Sequence, residues 1–188
     1  MQIRPIETSY NGHRFRSRLE ARWAVFFDEV MIEYQYELEG YVLPHGERYL
    51  PDFFLPGLSL DVEVKPHRDL SLADIAKLVG FAGDADKPLL LLVGTPGGHE
   101  AFLLDRCSLG SAWEYAAGED TPEQDARAEF WGSVGDWGAV DLSVDPQTSR
   151  VCLRYRQLPP NDDSIFMRAF CTAKSARFEH VEAPRGRR

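Results

Sequence analysis

The sequence predicts an α/β sandwich, a central mixed sheet flanked by helices, and four stretches carry that prediction. In residues 15–30, Phe15, Leu19, Trp23, Phe26, Phe27 and Val30 recur at helical spacing and make one strongly apolar stripe. Residues 88–94 read PLLLLVG, a short continuous apolar run of the kind a strand covered on both faces requires. Ahead of that run lie an alternating segment at 58–65 and a helical pattern at 72–81. Strand, helix, strand at this spacing predicts a right-handed crossover between parallel strands.

Taken in order, the elements are a helix within 15–30, a three-strand meander that starts near Tyr34, a second helix, and two further strands. The second helix has Ser71 as its cap and Leu72, Ile75, Ala76 and Val79 on its apolar side. Residues 101–104 read as the strand after the apolar run, and Gly94 to Gly98 between them as a turn. From about Ser108 the text changes to a Gly-, Asp- and Trp-rich stretch of turn character. Residues 140–144 and 151–155 follow as a hairpin, and 165–178 as an amphipathic helix capped by Asp163 or Ser164. The organisation expected is a core over 1–107, a C-terminal extension over 108–183, and a short basic tail, expected to be disordered, over 184–188.

The chemistry-bearing stretch is YLPDFFLPGLSLDVEVKP, residues 49–66. Pro56-Gly57 favours a type II turn, which pairs 49–55 with 58–65 as antiparallel strands. Side chains alternate along a strand, so Leu60, Val62 and Val64 face one way and Asp61, Glu63 and Lys65 the other. With a turn of Pro56-Gly57 alone, Asp52 lies opposite Asp61 on the face of Glu63. Carboxylates so crowded repel unless a cation lies between them, and a divalent metal with oxygen ligands is the natural counter-ion. The same alternation also describes the solvated face of any half-buried hairpin. Upstream, Glu20 falls at the edge of the apolar helical stripe, where it can border the acidic face. Ser17-x-x-Glu20 is equally a capping box, with the glutamate serving the start of its own helix.

The ordered set of helix glutamate (Glu20), Pro51-Asp52 and Glu63-Val64-Lys65 resembles the PD-(D/E)xK nuclease superfamily. The flanking SRLEARWA, YLPDFFLP and VEVKP are similar to small nuclease-like proteins of phages, plasmids and actinobacteria, and to catalytic domains of transposon-end endonucleases. The resemblance spans residues 10–104. It implies a restriction-endonuclease-like sandwich and a Mg²⁺-dependent deoxyribonuclease, with Mn²⁺ able to substitute. In that setting Glu20, Asp52 and Glu63 lie around the metal and Lys65 orients or activates the attacking water. Asp52 and Glu63 are the best ligands by type, and the Val64 carbonyl is a further candidate where the sheet frays. A lysine is almost wholly protonated at neutral pH and could act as a base only after a large downward shift, so Lys65 is read as an electrostatic positioner. Arg16, Arg18 and His67 are candidate DNA contacts; His67 also reads as an exposed loop histidine. A catalytically silent nuclease fold that binds DNA or a protein partner is the alternative.

The remaining sequence sets bounds. A net charge of −9 sits awkwardly with DNA binding, which needs local positive charge. Arginines do crowd the first helix at Arg14, Arg16, Arg18 and Arg22, and basic residues gather from Arg150 onward. Weak binding, or recruitment by a partner protein, fits that balance. The three cysteines are widely spaced and suit free thiols in a reducing cytoplasm rather than a zinc ribbon. No apolar run is long enough to span a bilayer. The sequence leaves the oligomeric state open, a dimer included.

Overall fold

A computed structural model describes residues 6–43, 46–84, 88–109, 123–144, 151–156 and 164–178. Its centre is a seven-stranded mixed sheet in the order β11-β10-β9-β8-β7-β6-β3. The strands are β3 (Gln35–Tyr36), β6 (Phe53–Leu55), β7 (Leu60–Lys65), β8 (Leu89–Val93), β9 (Glu100–Leu104), β10 (Ala139–Val144) and β11 (Val151–Tyr155). Only β7 and β8 run parallel; their connection is the helix α2 (Leu72–Asp84), so the strand–helix–strand unit read from the sequence is present. Two small hairpins stand outside this sheet: β1 (Thr8–Tyr10) with β2 (His13–Phe15), and β4 (Tyr41–Val42) with β5 (Arg48–Tyr49).

Alternation along β7 and β8 sorts their side chains between two cores. Leu60, Val62, Val64, Leu90 and Leu92 pack with α1 (Arg18–Glu29) and with α5 (Ser164–Ser175). Leu89, Leu91 and Val93 pack on the opposite face with α2, α3 (Arg106–Leu109) and α4 (Glu123–Trp137). The result is three layers, with helices on both faces of the sheet, and all five residues of β8 are buried. Among the described residues no helix is long and apolar enough to cross a membrane.

Several expectations need adjusting. The first helix starts at Arg18 rather than Phe15, because Ser17 caps it: the Ser17 hydroxyl accepts from Glu20 N–H at 3.2 Å. Phe15 is instead the last residue of β2, and still buries its ring in the α1 core. The β1–β2 hairpin was not anticipated. Its turn, Asn11-Gly12, has positive φ at both residues (46° and 80°), the signature of a tight primed hairpin turn. The meander is interrupted, because β4–β5 is inserted between β3 and β6.

The hairpin register also differs. Leu55 pairs with Leu60, so the connection spans residues 56–59 and not Pro56-Gly57 alone. Gly57 does not adopt positive φ; Ser59 does, at 52°, after two overlapping turns in which Leu58 N–H donates to Leu55 O and Ser59 N–H to Pro56 O. A type II turn is therefore replaced by a longer one. The slip is two residues, an even number, so every side chain keeps the face expected of it.

The segment beyond Ser108 continues the same sheet. The expected 140–144 and 151–155 hairpin is β10–β11, paired from Val140↔Tyr155 to Val144↔Val151, and β10 joins β9. The helix α5 packs on α1: Phe26 stacks against Phe170 with ring centroids 4.9 Å apart and planes 8° from parallel, and also meets Phe166. The basic tail 184–188, the cap at Asp163 and the acidic stretch before α4 lie outside the described residues.

This packing makes Phe26 a joint between the two ends of the chain. Phe26→Ala should cost about 3–5 kcal/mol of unfolding free energy, read by denaturant titration. The double mutant with Phe170→Ala should cost less than the sum of the two singles, since both remove the same stack.

Candidate active site

β7 is longer than its partner. β6 pairs with Leu60, Asp61 and Val62, so the end of β7, Glu63 to Lys65, has no strand beside it on that side among the described residues. A buried backbone N–H left so must find another acceptor. Val64 N–H donates to the Asp52 carboxylate, Oδ2, at 2.8 Å. In an extended strand a residue's N–H and C=O point towards the same neighbour, so the Val64 carbonyl is turned to the Asp52 side as well. Continuing the β6–β7 register by one step puts Asp52 opposite Glu63, not Asp61.

The carboxylates are not a solvated face. Glu20, Asp52, Asp61 and Glu63 are only 8%, 6%, 4% and 7% exposed. Buried carboxylates of this number need partners, and each has them. Glu63 accepts from the Tyr49 hydroxyl at 2.8 Å through Oε2, and meets Lys65 Nζ at 2.9 Å through Oε1. Asp52 Oδ1 lies 3.4 Å from the Arg16 guanidinium. Glu20 Oε2 accepts from the Tyr36 hydroxyl at 2.7 Å and from Arg16 N–H at 3.0 Å. Asp61 meets the Tyr41 hydroxyl at 3.4 Å and does not line the cleft.

Glu20, Asp52, Glu63, Val64 and Lys65 line one cleft of about 420 Å³, so the sequence-selected site residues converge. Of the capping box, the half from Glu20 N–H to Ser17 is present, but the Glu20 carboxylate takes the N–H of Arg16, one residue before the cap. Glu20 also borders the cleft. Arg16 lines the cleft too, but its guanidinium is held by Glu37 and Asp52. Arg18 and His67 do not line it; His67 is exposed in the segment after β7.

The electrostatics follow from burial. Asp52 is pushed well above the usual carboxylate range by loss of solvent, then by the charges of Glu63 and Glu20; the Val64 N–H and Arg16 oppose this only in part. Tyr49 is likewise raised by burial and by Glu63, so it stays a hydroxyl donor. For Lys65, burial pulls the ammonium down, but Glu63 and Asp74 together outweigh it and the net shift is upward. Asp74 moves the other way: burial raises it, and the Ser71 hydrogen bond and Lys65 bring it below its ordinary value.

Three contributors escaped the sequence reading. Tyr49 and Tyr36 supply the hydroxyls that hold Glu63 and Glu20. Asp74, in the first turn of α2, accepts from Ser71 through Oδ2 and reaches Lys65 Nζ with Oδ1 at 3.3 Å. The signal was present, since Ser71-x-x-Asp74 repeats the Ser17-x-x-Glu20 spacing. In both helices the acid three residues after the cap borders the cleft.

The donor set, carboxylate and carbonyl oxygens, is the kind a hard divalent cation takes. A cation of that charge would relieve the repulsion from Glu63 and Glu20 that adds to the effect of burial on Asp52. As the side chains stand, however, no group of three histidines, cysteines or carboxylates among the described residues is arranged to hold one. The positive charge beside Glu63 is Lys65, and a metal would have to share Glu63 with it. No known protein family, curated protein or solved structure matches the chain.

The raised pKa of Asp52 has a stability consequence. Between the unfolded value of about 3.9 and the raised folded value, the native state holds a proton that the unfolded state has lost. That contribution is complete below the unfolded pKa and disappears as pH rises through the folded one. Asp52→Asn keeps an oxygen for Val64 N–H and removes the charge. In metal-free buffer the variant should be more stable than the parent at about pH 8, with the gap closing towards about pH 4; thermal unfolding across that range reads it. A gap independent of pH would contradict the assignment. Tyr49→Phe keeps the ring against Phe81 but strips Glu63 of a buried donor. It should cost about 1–3 kcal/mol by denaturant titration at neutral pH.

Proposed function

We propose that the chain is a metal-dependent DNA endonuclease with a restriction-endonuclease-like sandwich, hydrolysing phosphodiester bonds at Glu20, Asp52, Glu63 and Lys65. The observation that carries this reading is the convergence of those four residues in one cleft, in the motif order of the PD-(D/E)xK nucleases. The donor chemistry points to Mg²⁺, held by Asp52, Glu63 and the Val64 carbonyl with Glu20 nearby, and Mn²⁺ as its substitute. Such an ion, when bound, polarises the phosphate and lowers the pKa of a coordinated water.

The protein's own residues have distinct tasks in hydrolysis. In hydrolysis a water oxygen would attack phosphorus and give up its proton to solvent, while the bond to the leaving oxygen breaks and that oxygen takes a proton from solvent, so negative charge grows on the phosphoryl oxygens in between. Lys65, clamped between Glu63 and Asp74, remains an ammonium and is positioned to stabilise that charge. Asp52 fixes the unpaired end of β7 through Val64 N–H and brings its own charge to the same spot. Tyr49 and Tyr36 restrict the rotamers of Glu63 and Glu20, which limits reorganisation during the reaction.

One observation favours a second reading, a catalytically silent fold that binds DNA or a protein partner. Every one of the four oxygens of Asp52 and Glu63 already has a protein donor or cation beside it. A site so satisfied holds together without metal.

Cleavage of single-stranded, duplex, flap and four-way DNA with Mg²⁺ or Mn²⁺ separates the two. The nuclease reading expects metal-dependent cutting of at least one form, abolished in Asp52→Ala and Glu63→Ala. Lys65→Met should lose at least about a hundredfold in rate while still binding Mn²⁺. Binding without cutting on every form selects the silent fold. An unchanged rate in Lys65→Met removes the lysine from the mechanism.

A further inference from the structure

The cations that line the cleft differ in what holds them. Lys65 is shared by Glu63 and Asp74, Arg16 by Glu37 and Asp52, and Lys77 pairs with Glu47 at 3.2 Å. Arg48 lines the same cleft, is exposed, and makes no hydrogen bond or ion pair among the described residues. In a chain with 30 acidic residues against 21 lysines and arginines, a guanidinium without a carboxylate partner is informative. It has the five-donor fork that suits bidentate phosphate recognition.

The hairpin that carries Arg48 is fixed to the site. Tyr41 and Tyr49 are cross-strand partners on one face of β4–β5, and both rings lie on Phe81, at 4.8 and 5.0 Å between centroids. Their hydroxyls reach Asp61 and Glu63 on β7. Arg48 immediately precedes Tyr49, so its Cα is tied to the position of the Glu63 carboxylate through a single residue. Its cross-strand partner Val42 is 73% exposed, so the Arg48 face of the hairpin is not covered by the described residues. The cleft thus has an exposed cation on a hairpin held by Tyr41 and Tyr49, beside a site whose other cations are already engaged.

We propose that Arg48 binds a backbone phosphate of a DNA strand lying in the cleft, with the β4–β5 hairpin acting as the substrate-side arm of the site. The proposal rests on the nuclease reading only for the choice of DNA as ligand. It names a contact that the sequence reading, which selected Arg16, Arg18 and His67, did not.

The test is the salt dependence of binding to labelled duplex and single-stranded DNA, followed by fluorescence anisotropy at fixed Ca²⁺ so that turnover does not interfere. Loss of one phosphate contact should lower the slope of log K against log salt by about 0.9 on duplex or about 0.7 on single strands. Arg48→Gln should show that loss, Arg48→Lys should keep most of the parent's slope, and both should retain the parent's unfolding midpoint and Mn²⁺ affinity. Arg177→Gln, an exposed charge outside the cleft, should leave the slope unchanged. An unchanged slope in Arg48→Gln overturns the proposal, as does an equal loss in Arg177→Gln. A parent that binds no DNA overturns it together with the nuclease reading. A parent that binds DNA through Arg48 but cuts none with Mg²⁺ overturns the nuclease reading alone.

Discussion

The hydrogen bond from Val64 N–H to Asp52 is the contact on which the site depends. It exists because β6 begins at Phe53, one residue after Asp52, while β7 runs on to Lys65. A strand end without a neighbour would normally be covered by water or frayed. Here a side-chain carboxylate takes the place of the missing strand and caps the backbone of β7 inside the protein. That arrangement brings the Asp52 charge to Glu63 and turns the Val64 carbonyl to the same side. The metal-ligand geometry proposed for the cleft is therefore a by-product of how the sheet is ended. Asp52 is structurally satisfied and electrostatically strained at once, held by the N–H and repelled by Glu63 and Glu20.

Charge neutrality in the cleft is achieved by interleaving. Lys65 lies between Glu63 on its own strand and Asp74 on α2, and Arg16 lies between Asp52 and Glu37. The two helix starts contribute alike: Ser17 and Ser71 cap α1 and α2, and the acid three residues on, Glu20 or Asp74, turns into the cleft. Each acid is thus paired with a helix N-terminus, whose partial positive charge favours it. This also explains why the net charge of −9 is a poor guide to the site. The cleft's own charges are mixed and locally balanced, and whether a phosphate is drawn in depends on Arg48 and its neighbours rather than on the whole surface.

Much of this was legible in the sequence, for identifiable reasons. The faces of β7 could be read because the side-chain period is two and the hydrophobic set was unambiguous: Leu60, Val62 and Val64 are buried with α1, as their alternation required. That inference survived a wrong turn, since the error in register was an even number of residues. The helix α1 was legible from its apolar stripe, though its start was set by Ser17 and not by the first apolar residue, Phe15. The last hairpin, β10–β11, was legible from alternation, but its membership of the central sheet was not, because nothing local to residues 140–155 says which strand they meet. Tyr49, Tyr36 and Asp74 were missed for the same reason. A tyrosine in a strand reads as packing, and a capping-box acid reads as a cap, until tertiary contacts give each a second partner.

The double use of such residues bears on how the cleft tolerates change. Glu20 and Asp74 each serve a helix start and the cleft, and Tyr49 serves the Phe81 cluster and Glu63. Removing any of them would perturb folding and function together, so loss of activity at these positions would not by itself assign a chemical role. Lys65 and Arg48 differ. Lys65 ends its strand with a partly exposed head group, and Arg48 has no partner among the described residues to leave unsatisfied. Removing the Arg48 charge strands no partner, whereas removing the Lys65 charge leaves Glu63 and Asp74 without their shared cation, so the stability of a Lys65 variant has to be measured beside its rate. Arg48 is the position where structure and chemistry come apart, and so where a measured effect speaks most directly to what the cleft does.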